Sequence, residues 1–244
     1  MPTFNDYGII LSHKRLQESD RVFNIYTREK GLVRAVGKSG KKQSNKFYGK
    51  LDQLSCCNFQ FAKGKNLYTI CEYEQINSFP QLRSDLSKLT NAVLILEIVN
   101  GFAHEDEIDS QHTYDLLYSS LDNLQESSNP DLNSINFISE FLSLHGYKPQ
   151  LDTCVHCSET VGADLVSALV DSYPYSSILG GILCSKCAEV IEHKQIEPDV
   201  INLLKSKIKS QNQGNIRLAL DLLREHIDIR AKNKINSFDL VMSL

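Results

Sequence analysis

The 244-residue chain has no tryptophan, only two methionines and only six prolines. It also lacks any apolar run that could cross a bilayer. The longest, Ala92–Val99, is interrupted by Glu97 and falls well short of the roughly 20 residues a spanning helix requires. The first residues, Met1–Asp6, show no basic region followed by an apolar core, so no secretory signal is read there and a cytoplasmic location is expected. No glycine-rich phosphate loop and no G-x-G-x-x-G run occurs, which argues against nucleotide hydrolysis and against a dinucleotide cofactor. The seven histidines fall in no Ser/His/Asp, H-E-x-x-H or paired-carboxylate arrangement, so the chain is not expected to be an enzyme. No internal repeat is visible.

What is present is ordinary for a globular protein: 41% hydrophobic and 23% charged residues, enough chain for one large or two small domains. The net charge of −4 conceals a division. Residues 1–80 carry 13 Lys+Arg against 7 acids, a net of +6, and the remainder carries 13 against 23, a net of −10. Such asymmetry points to a polyanionic partner for the basic part. The alternative is two domains that attract one another.

The hydrophobic period changes at the same place. Phe4–His13, Arg21–Arg28, Leu32–Lys38, Leu54–Ala62 and Leu67–Ile76 are short runs rich in β-branched and aromatic residues and read as strands. Glu29-Lys30-Gly31 and Lys63-Gly64-Lys65-Asn66 fit hairpin connections. In the last strand, Leu67, Thr69, Cys71 and Tyr73 are expected on one face and Ile70 on the other. Five strands in so short a span, with a long third connection, match a small OB-type barrel. From Leu82 the spacing turns helical. Leu82–Leu96, Tyr114–Leu124, Ile135–Leu142, a helix starting at Pro198 and one over about Ile216–Ala231 carry apolar stripes, with Gly146 as a C-terminal cap. The fold class read here is therefore α+β: a barrel over residues 1–80, a helical domain over 81–150 and 188–244, and an insert over 151–187.

That insert carries Cys154-Val155-His156-Cys157 and Cys184-Ser185-Lys186-Cys187. Two C-x-x-C knuckles can direct four thiolates at one ion, about 2.3 Å from zinc, with no position left for water. The pattern predicts one structural Zn2+ per chain, held by Cys154, Cys157, Cys184 and Cys187. Unligated thiols or a redox pair are the alternatives, but a redox C-x-x-C needs one pair in a βαβ setting, which this chain lacks. Cys56, Cys57 and Cys71 read as strand or core residues.

The barrel region gathers Arg15, Arg21, Arg34, Lys38, Lys41, Lys42 and Lys46, and Tyr48 follows the lysine-rich loop. Eleven of the chain's 20 Phe and Tyr residues precede Pro80. Cations that neutralise phosphates and rings that stack on bases are what single-strand binding needs. These eight residues are the predicted nucleic-acid contacts. Phe23, Phe59 and Phe61 are assigned to the barrel core, and Tyr26, Phe47 and Tyr48 to the surface.

Taken in order, Gly8-Ile9-Ile10-Leu11, Glu18-Ser19-Asp20-Arg21-Val22, Tyr26 to Lys38, Phe137-Ile138, Phe141-Leu142, Gly146-Tyr147-Lys148-Pro149 and the two knuckles resemble the bacterial RecO (recombination protein O) family along nearly the whole chain. The resemblance implies an OB barrel, a helical domain and a zinc insert in a cytoplasmic, nucleoid-associated DNA-repair protein. It implies binding of single- and double-stranded DNA and annealing of complementary strands. It further implies joint action with RecR to load recombinase onto DNA coated by single-strand-binding protein, and contact with that coating protein's acidic C-terminal tail. Lys205, Lys207, Arg217 and Arg224 are the cations offered for the tail. A zinc-stapled adaptor whose basic barrel grips an acidic protein is the competing reading.

Overall fold

The structure is a computed structural model and describes residues 2–16, 20–37, 51–161, 171–205 and 212–244. Five strands, β1 (Thr3–Arg15), β2 (Arg21–Thr27), β3 (Gly31–Gly37), β4 (Cys56–Ala62) and β5 (Tyr68–Asn77), close into a barrel in the order β1-β2-β3-β5-β4. All neighbours are antiparallel except β3 and β5, which meet through Ala35↔Tyr68 and Val36↔Thr69. This is the closed Greek-key arrangement of an OB fold. Alternate residues point inward, so Phe23, Ile25, Val33, Ala35, Phe59 and Phe61 fill the interior.

Three register shifts depart from strict alternation, one of them between Cys56 and Cys57, which leaves Ile76 as an extra residue. The β1–β2 register shifts between Ile10 and Ser12, which leaves Leu11 as an extra residue and bends β1 so that it serves both β2 and β4. In β5, Phe61 faces Ile70 while Gln60 faces Glu72, so Cys71 is the extra residue. Ile70 and Tyr73, expected on opposite faces, therefore both turn to the barrel core, and Cys71 is exposed. The β2–β3 turn requires Gly31. Its φ is +68°, and a Cβ there would lie 2.8 Å from the His104 carbonyl oxygen, which accepts from Leu32 N–H.

A 3-10 turn (Pro80–Arg83) leads into α1 (Leu86–Phe102), started by Asp85 accepting from Lys88 N–H at 3.0 Å. α2 spans Ser110–Glu126. α1 packs on β1 and β2, and α2 on β2 and β3. That cover corrects the expectation for Tyr26, which is fully buried rather than on the surface. The residue occupies an outward strand position that an isolated barrel would expose, and a helix fills the space.

The chain divides into two compact units, Met1–Ser128 and Asn129–Leu244. The second begins with α3 (Pro130–Leu144), capped by the Asn129 side chain on Leu132 N–H. It ends in a Schellman turn: Gly146, at φ +75°, donates to Ser143 and Tyr147 donates to Leu142. A small sheet, ordered β7-β6-β8, follows from β6 (Tyr173–Ser176), β7 (Gly181–Ile182) and β8 (Lys194–Ile196). Between β7 and β8 lies the single-turn α4 (Ser185–Ala188). α5 (Pro198–Leu204), α6 (Gln213–Asp228) and α7 (Ser237–Met242) complete the unit. α7 has no counterpart in the sequence reading: six residues are too few to display a period, yet Phe238 and Val241 are buried. Among the described residues no helix is long and apolar enough to cross a membrane.

His226 on α6 is buried. Its Nε2 lies 2.7 Å from the Tyr147 carbonyl, which can only accept, and its Nδ1 lies 3.4 Å from the Tyr175 hydroxyl. Burial, against the hydrogen bond to Tyr147 and together with the Arg230 charge, lowers its pKa to about 4. The unfolded chain binds a proton near pH 6.5 and the folded chain does not, so this contribution is complete above pH 6.5 and is lost as pH falls towards 4. The unfolding free energy from urea titrations is expected to fall over that window by on the order of 3 kcal/mol. The His226→Gln variant should show a flatter profile there, and an unchanged profile would contradict the assignment.

Candidate functional site

The four knuckle cysteines converge: their sulfurs all lie within 4.8 Å of one another, and the set could hold a metal ion. Local backbone explains the convergence. Cys154 lies in a tight turn in which Ser158 N–H donates to its carbonyl at 2.8 Å and its own N–H donates to Glu159. Cys184 precedes α4, whose Ala188 N–H returns to the Cys184 carbonyl at 3.0 Å. A bond from Val155 N–H to Ile182, 2.8 Å long, ties the first knuckle to the strand that leads into the second. Gly181 sits where a Cβ would meet the Gln150 carbonyl oxygen at 2.5 Å, so only glycine permits this approach.

The electrostatics of the cluster call for a cation. Burial opposes ionisation of Cys154, but N–H groups of Cys157, Cys184 and His156 outweigh it and hold its thiol at about 6. The neighbours are pushed the other way. Cys187 rises to about 12, through its hydrogen bond with Cys184 first and then burial. Four thiolates this close cannot all ionise unaided, and a bound divalent ion removes the conflict. His156 Nδ1 stands 3.5 Å from Cys187 Sγ, where an N–H would support the thiolate.

The predicted nucleic-acid residues separate into groups. Arg15 and Arg21 are direct cross-strand partners at one mouth of the barrel. Arg34 pairs with Asn24, on the other face of the sheet. Among the described residues none of the three forms an ion pair. Like charges placed opposite one another repel unless an anion joins them. Arg28 and Lys30, at the far end of the β2–β3 hairpin, are different: Arg28 meets Asp115 at 3.5 Å and Lys30 meets Asp106 at 3.8 Å. Charge totals cannot reveal this pairing, because Asp115 arrives from α2, 87 residues after Arg28, and Asp106 from the α1–α2 connection, 76 residues after Lys30. Lys38, Lys41, Lys42, Lys46 and Tyr48, with Phe47, lie outside the described residues. Gly37, the last described residue before them, pairs with Arg21.

Of the cations offered for an acidic tail, Lys205 is bound to Asp152 at 2.6 Å, and Arg224 to Asp239 at 2.7 Å and Asp228 at 3.8 Å. Lys207 lies outside the described residues. Arg217 forms no ion pair among the described residues.

Both parts of the chain match known family models. Residues 1–79 match the model described as "Recombination protein O N terminal", and residues 83–237 match "Recombination protein O C terminal". The chain is 31% identical over 186 residues to the DNA repair protein RecO of Acetivibrio thermocellus, covering 75% of this chain and 69% of that protein. It is 29% identical over 188 residues to the RecO of Rubrobacter xylanophilus, covering 77% and 72% of the two chains. With a Dehalococcoides mccartyi RecO the match extends over 230 residues at 26% identity, covering 89% and 87%.

Proposed function

Because the chain belongs to the recombination protein O family, we propose that it is a DNA-binding and strand-annealing mediator of recombination in DNA repair. In this reading residues 1–80 are the DNA-binding module and bind single- and double-stranded DNA. Two complementary strands repel each other, and cations that neutralise both reduce the repulsion and raise the encounter rate. The observation that carries the reading, beyond family membership, is the facing pair Arg15 and Arg21, which has no carboxylate partner among the described residues. No bond chemistry is required of the protein. It helps load recombinase onto coated single strands together with RecR, in the cytoplasm and at the nucleoid. The acidic C-terminal tail of single-strand-binding protein docks on the second unit, with Arg217, which forms no ion pair among the described residues, as a cation that could receive it.

Zinc is the ion that the four cysteines would hold. Thiolates about 2.3 Å from zinc span edges of about 3.8 Å, and Cys157 Sγ and Cys184 Sγ are 3.7 Å apart. The donor set is all sulfur and fills four positions, so the ion would fasten the insert without activating water.

The test is annealing of labelled complementary oligonucleotides at 50 and 200 mM salt. Acceleration at low salt that falls steeply at high salt is expected. No acceleration at either concentration would favour the adaptor reading, in which the barrel grips an acidic protein.

A further inference from the structure

Within the first unit a cleft of about 530 Å³ opens beside the paired end of the barrel. Tyr7 of β1, Ile76 of β5 and Tyr118 of α2 form its apolar walls, and Arg28 and Asp115 lie on its rim. The walls are firmly held. Arg28 N–H donates to the Tyr7 carbonyl at 2.9 Å, Asn77 donates to the Tyr118 hydroxyl at 3.4 Å, and Phe79 packs edge-on against the Tyr118 ring. At the floor the Tyr114 hydroxyl meets Cys56 Sγ at 3.3 Å. Tyr7 is 46% exposed and Ile76 50%, in a barrel whose other aromatic side chains turn largely inward.

The polar groups restrict what can enter. The Arg28 side chain is 37% exposed and lines the cleft, and its ion pair with Asp115 is loose at 3.5 Å, so its outer guanidinium N–H groups can donate to an occupant. A purely apolar side chain in the cleft would leave those N–H groups unmatched. A carboxylate or phosphate placed there would meet Asp115. A flat ring whose edge offers an acceptor beside donors satisfies both groups and stacks on the phenol walls. Among the bases, guanine offers O6 to the guanidinium and both N1–H and N2–H to the carboxylate.

We propose that this cleft receives one unstacked nucleobase of single-stranded DNA, with guanine preferred over the other bases. The proposal rests on the DNA-binding reading above. The seven residues of β2 span about 23 Å at strand rise, so a single strand of ten nucleotides can reach from the arginine mouth to the cleft. The cleft would act as a fixed point for a strand that the cations otherwise hold without regard to sequence.

The experiment compares fluorescence anisotropy of labelled dT10 with that of the same strand carrying one central dG. The guanine strand is expected to bind about tenfold tighter, in line with the discrimination one bidentate contact provides. Asp115→Ala should remove the preference while dT10 still binds; the ratio is the readout, since losing the carboxylate also frees Arg28 for phosphate. Tyr7→Ala should weaken both strands several-fold, and both changes are at exposed positions, so thermal melts should match the parent. Equal affinities for the two strands, a preference that survives Asp115→Ala, or unchanged binding by Tyr7→Ala each overturn the proposal while leaving DNA binding intact. Failure of the parent protein to bind either strand would overturn the DNA-binding reading and this one with it.

Discussion

Cys154→Ser is expected to abolish stoichiometric metal binding and to unfold the segment around the knuckles. The small cluster there has three buried members, Cys154, Leu183 and Cys184, with a few half-buried side chains packed on it. That is too little apolar surface to order the segment alone, so the metal contribution, several kcal/mol in a four-thiolate site, decides the outcome. The parent should carry about one zinc per chain. The variant should carry almost none, and it should gain protease cleavage next to the knuckles, within residues 154–161 and 183–191. The first unit, Met1–Ser128, contains none of the four cysteines and should keep its protection. Undiminished metal by elemental analysis, or an unchanged cleavage pattern, would count against both the ligand set and its structural role.

The second large effect concerns the cationic mouth. Replacing Arg15, Arg21, Lys41, Lys42 and Lys46 together with alanine should weaken single-strand binding by about 100-fold or more at 50 mM salt. Each lost phosphate contact should flatten the slope of log K against log salt by about 0.7. The loss should be similar for every sequence, because phosphates carry no base information. Arg15 is exposed and Arg21 half-buried, and neither forms an ion pair among the described residues, so the thermal midpoint should barely change. Annealing that persists at the parent rate would place the DNA contact elsewhere.

Much of the architecture was legible in the residues because it is written locally. Strands β1 to β5 follow from short β-branched and aromatic runs punctuated by Gly31 and Gly64, and the observed limits differ from the reading by a few residues at most. The metal cluster is equally local: each knuckle is a four-residue pattern, and the fold only has to bring two of them together. What was not legible depends on partners distant in sequence. Tyr26 has the chemistry of a stacking residue but lies beneath α2. The Cys71 bulge reverses the face of half a strand without any signature in composition. The ion pairs of Arg28 and Lys30, and the cleft beside them, are assembled from β1, the β2–β3 turn, β4, β5, the α1–α2 connection and α2, and no spacing rule joins those positions.

The closure of the barrel also has a kinetic meaning. The β1–β2 and β2–β3 pairings connect residues at most a few tens apart and can form as successive hairpins. Closure requires Thr3 to find Ala62, 59 residues later, and needs β3 to meet β5 over only Ala35↔Tyr68 and Val36↔Thr69. Long-range pairing carries its loop entropy before any reward arrives. The hairpins are therefore expected to form before β1 meets β4 and β3 meets β5, and amide exchange is expected to begin at the β3–β5 seam, which only two residue pairs hold.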